Sequence, residues 1–191
     1  MKIYLTVLVL LTAVSFSYSQ GKLEREYRIK PSQVPVKALG FVEKSMPDVK
    51  VKWYWEENLQ KKSIEAKGTR NGKLYSVEFD TLGVLQDVEV LVKYQSLPEN
   101  TKIAIEKSIE NRFAKFNIEK TQIQWVGDQN VLMSLIKGED IGQTAYITNY
   151  EIMIKGSMDG LTDFYEILLN EKGEIKRVSK VLQRNDYHLI Y

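Results

Sequence analysis

The chain has 191 residues with 27 basic and 25 acidic side chains, and a formal charge of +2 is too small to make nucleic acid or an anionic membrane surface a main partner. It contains no cysteine, which excludes disulfide staples, thiolate zinc sites, cysteine nucleophiles and thiol redox chemistry. The one histidine, His188, lies near the C-terminus, so a Ser-His-Asp triad or a histidine-rich metal site would have to be assembled around a chain end.

Lys2 precedes an apolar run from residue 3 to 14, and residues 15–20 turn small and polar. Ser17 and Ser19 occupy the two small-residue positions before a cleavage after Ser19, so residues 1–19 read as a signal peptide. The run is shorter than the ~20 residues that span a bilayer, which argues against an uncleaved anchor. No membrane span is expected after cleavage, and the expected location is the periplasm or the medium. Residues 20–33 are polar and charged and are expected to form a flexible lead-in.

From residue 34 the chain echoes itself. Val42-Glu43-Lys44-Ser45 lies seven residues after Pro35, as Ile105-Glu106-Lys107-Ser108 lies seven after Pro98. Residues 64–68 echo 152–156, and 75–85 echo 165–175, in the same order. In the first unit Leu39, Val42 and Met46 form a helical stripe that Pro47 terminates. Val49, Val51, Trp53 and Trp55 then alternate with Lys50, Lys52, Tyr54 and Glu56, the period of a strand with one wet face. Ile64 and Ala66 begin a second strand, and Asn71-Gly72 marks a hairpin into a third over 73–79. A turn at 80–83 leads to a fourth strand over 84–94.

The second unit opens on Ser96-Leu97-Pro98-Glu99, which reads as a capping box, followed by a helical stripe of Ile105, Ile109, Phe113 and Phe116. Strands are expected around Ile123 and Trp125, then over 146–155, 163–169 and 174–182. The expected fold class is α+β, a tandem duplication of a helix followed by a four-stranded antiparallel sheet. Its units are 34–95 and 96–191, the second carrying an insertion near 127–142. Each sheet would leave its helix-free face open to solvent.

These residues resemble the PepSY-like family of exported bacterial proteins, which is also described as resembling beta-lactamase inhibitor protein. The resemblance rests on Val34-Pro35 and Leu97-Pro98 at the helix starts, on Trp53, and on the hairpins at 75–85 and 165–175. It implies an architecture and a role in binding or inhibiting secreted and cell-envelope proteins, often peptidases, without catalysis. The chain departs from the beta-lactamase inhibitor in having no disulfide, and from its own first unit in the longer second helix and the added loop. The architecture and the idea of protein binding carry over, and no inhibitory target does.

Two surfaces are candidates for binding. Trp53 and Trp55 share a face with Val49 and Val51 and belong to the core, whereas Tyr54 points the other way beside Lys52, where a solvated strand face is the plainer account. The insertion carries an apolar run that includes Leu132, Met133, Leu135 and Ile136, read either as a presented patch or as a flap folded over the sheet. No spacing singles out a catalytic carboxylate pair, and the chain has no Gly-rich phosphate loop, Gly-x-Ser-x-Gly elbow or His-Glu-x-x-His motif. Asp128, Glu139 and Asp140 do not match a calcium loop. Neither a metal nor another cofactor is expected. The sequence therefore points to a non-enzymatic exported module that binds an exported or envelope protein. The alternative is a small-ligand or lipid carrier with its pocket between helix and sheet.

Overall fold

The computed structural model describes residues 25–57, 61–141 and 145–181. The expected signal peptide and His188 lie outside the described residues. Nine strands form one antiparallel sheet in strict chain order. They are β1 (Arg25–Ile29), β2 (Lys52–Glu57), β3 (Lys62–Arg70), β4 (Lys73–Asp80), β5 (Leu85–Val92), β6 (Lys115–Gly127), β7 (Tyr146–Met158), β8 (Leu161–Asn170) and β9 (Ile175–Lys180). Helix α1 (Val36–Ser45) precedes β2, α2 (Glu99–Glu110) joins β5 to β6, and α3 (Gln129–Lys137) lies between β6 and β7. No helix among the described residues is long and apolar enough to cross a membrane.

Local chemistry explains the tight connections. Asn71 and Gly72 turn β3 into β4 with φ of 51° and 73°, the left-handed pair that a two-residue hairpin requires. At the end of β4, Asp80 Oδ1 accepts the backbone N–H groups of Leu82 (2.9 Å) and Val84 (2.8 Å). Asn170 Oδ1 does the same after β8, accepting from Lys172 at 3.0 Å and Glu174 at 2.9 Å. A short side-chain acceptor thus folds each turn before a strand that needs its register fixed.

The expected fold class is overturned by the pairing of β5 with β6. Val88 lies opposite Trp125 and Val90 opposite Ile123, so the chain builds one nine-stranded sheet and not a helix with a four-stranded sheet given twice. An open β5 edge would leave backbone N–H and C=O groups unpaired beside three valines, and β6 satisfies them. Residues 25–29, read as part of a flexible lead-in, instead pair with β2 as a ninth strand. Two local expectations also fail. Helix α2 begins after Pro98 with no side-chain cap, because the Ser96 hydroxyl donates to the Lys93 carbonyl at 2.7 Å. The helix stops at Glu110, and Phe116 belongs to β6.

All three helices pack on the same face of the sheet. Under α1 and α3, Phe41, Leu132 and Ile136 meet Trp53, Ile64, Val77, Phe79 and Val88. Under α2, Ile105, Ile109 and Phe113 meet Ile152, Ile154, Tyr165, Ile167 and Leu169. Edge-on ring contacts tighten the first cluster, with Phe41 and Phe79 centroids 5.8 Å apart. Full burial of each such aliphatic or aromatic side chain contributes roughly 1.5–3 kcal/mol. Since strand side chains alternate, the residues between these apolar positions all point to the opposite, helix-free face.

Candidate functional site

The helix-free face is where the polar half of every strand accumulates. The sheet curls so that one groove of about 1240 Å³ runs across it, lined from Glu26 on β1 to Arg177 on β9. Ten carboxylates and five cationic side chains line this groove, which makes it acidic within a chain that is formally slightly basic. Across the middle of the sheet, register places Glu78 beside Asp87 and sets Ser76, Glu89, Gln124 and Asn149 in one row.

Cations of the protein itself neutralise the flanks. Lys67 Nζ lies 2.7 Å from Glu65 and 3.2 Å from Glu26, and Lys61 Nζ lies 2.8 Å from Glu78. On the far side Arg177 Nη2 approaches Glu166 at 3.2 Å and Glu151 at 3.6 Å. Amides connect the centre: Gln122 Nε2 donates to Glu89 at 2.7 Å, Asn149 Nδ2 donates to Gln124 at 2.9 Å, and Lys176 Nζ donates to Asn149 at 2.7 Å. Asp87 Oδ1, like Thr121 Oγ1, is shielded from solvent and has no hydrogen-bond partner, and unlike Glu65 it has no ion pair.

Electrostatics follow the same division. Burial, with Glu78 and Glu151 nearby, pushes the Asp87 carboxyl up to about 8. Burial and the adjacent Asp87 raise Glu89 to about 8 as well. Burial would also raise Glu65, but the Lys67 ammonium together with hydrogen bonds involving Glu56, Lys67 and Ser76 more than offsets it and holds that carboxyl below its ordinary value. The carboxylates of Glu26, Glu56 and Glu65 lie within 4.8 Å of one another, a spacing that would suit a metal ion. The Lys67 ammonium already pairs with two of the three, so the cation there is a side chain.

The structure divides the residues singled out from sequence. Tyr54 lies on the helix-free face with Lys67 Nζ 5.0 Å from its ring centroid, and Lys52 is exposed at the start of β2; neither lines the groove. Leu132 and Ile136 are only 0 % and 1 % exposed in the first core, and Met133 and Leu135 pack partly buried against it. The 131–136 run is therefore neither a loop nor a presented patch. It belongs to a helix on the opposite face from Tyr54. Helix and sheet are packed together by the two cores, where a carrier's pocket was expected. A smaller hollow of about 530 Å³ lies beside α1, between Lys37, Gly40, Lys44 and the turn at Gly83.

Sequence reasoning missed Asp87, Glu89, Gln122 and Gln124, although each pair is spaced by two within a strand. That spacing assigns them to one face but says nothing about whether the face is flat or hollow.

No protein-family model matches the chain, nor does any curated protein. Solved structures do resemble it. A DUF2874 family protein from Bacteroides ovatus superposes with a TM-score of 0.51 at 14% identity, over 80% of this chain and 92% of that one. A DUF2874 family protein from Bacteroides uniformis gives 0.49 at 15% identity, over 77% and 89% of the two chains. A BLIP-like protein from Bacteroides fragilis gives 0.48 at 15% identity, over 81% and 92%. The first of these shows a shared fold, and at that identity nothing beyond it. The PepSY-like resemblance is not matched by a family model; the structural neighbours carry the DUF2874 and BLIP-like descriptions instead.

Proposed function

We propose that the chain is an exported, non-enzymatic module that binds a cell-envelope or secreted protein in the groove on its helix-free sheet face. The observation that carries this reading is the groove itself: a hollow of about 1240 Å³ on a sheet whose other face is covered by helices. A face kept open across nine strands offers protein-sized contact area, and its amides and carboxylates can satisfy a partner's backbone and side chains. Export rests on the signal-peptide pattern of residues 1–19. We read the module as non-catalytic because the chain has one histidine and no cysteine, and the groove carboxylates of Glu26, Glu65, Glu78, Glu89, Glu151 and Glu166 are engaged by Lys, Arg or an amide.

A photo-crosslinking amino acid at Gln122 on the groove floor tests this in the envelope of the producing cell. A discrete protein adduct is expected from that position and none from Ile103, exposed on α2. Equal labelling from both positions, or no adduct from Gln122, would refute the assignment.

A further inference from the structure

We infer that the groove receives an extended, basic segment of the partner protein, with one lysine or arginine side chain seated on Asp87 at the centre of the sheet. This deepens the protein-binding reading and rests on it. The groove's ion-paired cations lie toward its flanks, Lys61 and Lys67 on the β1–β4 side and Arg177 on the β8 side, while the charge of Lys120 on β6 only partly offsets the burial of Glu89. Among the described residues neither Asp87 nor Glu89, both on the central strand β5, has an ion-pair partner, and Glu89 accepts only from a neutral amide. A shielded carboxylate oxygen without a donor costs stability, and an incoming ammonium or guanidinium, which donates a charge-assisted hydrogen bond, relieves that cost more fully than a neutral donor. Burial and neighbouring carboxylates, Glu78 and Glu151 for Asp87 and Asp87 for Glu89, raise both carboxyls although Lys61, Arg177 and Lys120 act in the opposite sense, so the local positive charge falls short.

The occupant is a polypeptide and not a bare ion because of the size and lining of the hollow. A metal ion needs six to eight oxygens converging within a few ångströms, whereas the groove is about 1240 Å³ and runs across strands from β1 to β9. On the β6 side of Asp87 the lining offers the amides of Gln122 and Gln124, and on the β4 side the hydroxyl of Ser76, which can meet the N–H and C=O groups of an extended backbone. Charge complementarity then selects the partner's sign and speeds encounter.

The test uses the mature chain, residues 20–191, and a fluorescein-labelled twelve-residue Gly-Ser peptide carrying three spaced lysines, read by anisotropy. The basic peptide is expected to bind at least about tenfold more tightly than the same peptide with glutamine in place of lysine. Asp87→Asn should lose at least about tenfold, while Glu110→Gln, exposed on α2, leaves binding unchanged. Glu89→Gln serves as the second groove variant, with circular dichroism checking that each variant is folded. Equal affinity for the two peptides, or full binding by both folded groove variants, would overturn the inference. So would calcium or spermine that competes fully at equal concentration, since the site would then serve a small cation. A protein captured at Gln122 through a neutral or acidic segment defeats the inference and leaves the binding role intact. Tight binding of the basic peptide without any captured protein does the reverse.

Discussion

Gly173, in the turn from β8 to β9, has φ of +76°, and a Cβ built there would lie 2.5 Å from the Ala104 carbonyl oxygen of α2. Gly72 has a similar φ of +73° with nothing within 4 Å. Gly72→Ala should therefore cost only the left-handed penalty, roughly 1–2 kcal/mol, whereas Gly173→Ala adds a backbone clash and should cost clearly more, about 3 kcal/mol or above. Urea titration of both variants checks the ordering. Asp87 and Glu89 make a second prediction at this scale. Their folded values of about 8 lie above the ordinary carboxylate range near 4, so the folded chain binds more protons between those limits. Their contribution to stability accordingly falls as pH rises from about 4 to about 8 and levels off above. Glu65 acts in the opposite sense, its contribution being lost as pH falls through its depressed folded value. Urea midpoints for the wild type should drop between pH 5 and pH 8, and Asp87→Asn should flatten that slope. A wild-type midpoint unchanged over the interval contradicts the assignment. The turn residues were visible in the sequence because their chemistry is local. Asp87 was not, because nothing local distinguishes a carboxylate on a wet strand face from one at the floor of a groove.

At the scale of elements, α3 is the instructive case. Its caps were in plain view: Asp128 accepts the Asn130 N–H at 2.8 Å, and Gly138 ends the helix with φ of +82°. Leu132 and Ile136 stand four apart, one turn of an amphipathic helix. A nine-residue helix is marginal by itself, and this one forms because its apolar side completes the core beneath α1. Leu132→Ala and Ile136→Ala should each lower stability by about 2–5 kcal/mol, against roughly 1 kcal/mol for the partly buried Leu135→Ala. Thermal unfolding followed by circular dichroism measures both. Similar small losses at all three positions would mean that α3 is not part of the core. The stripe continued to Phe116 misled for a related reason. Phe113 stays in the core after the helix has ended, so periodicity alone placed the boundary too late.

The whole molecule is bound together by β5 pairing with β6 and by α3, which comes from the second half of the chain and packs on the core of the first. A fragment ending at residue 95 would bare the β5 edge and lose Leu132 and Ile136. It is expected to aggregate or to lack a cooperative urea transition, while residues 20–191 unfold in one step. A soluble, cooperatively folding fragment would disprove this mutual dependence. Apart from β1 and the first half of β6, the strands, turns and their alternation were readable from residues alone, because backbone preferences and the period of side chains act over a few positions. So were the apolar positions that became core. How many sheets those strands make, whether α3 is covered or presented, and that the polar face is hollow depended on contacts between distant parts of the chain. Edge pairing and sheet curl minimise the free energy of the whole fold, and no short stretch of sequence carries that information.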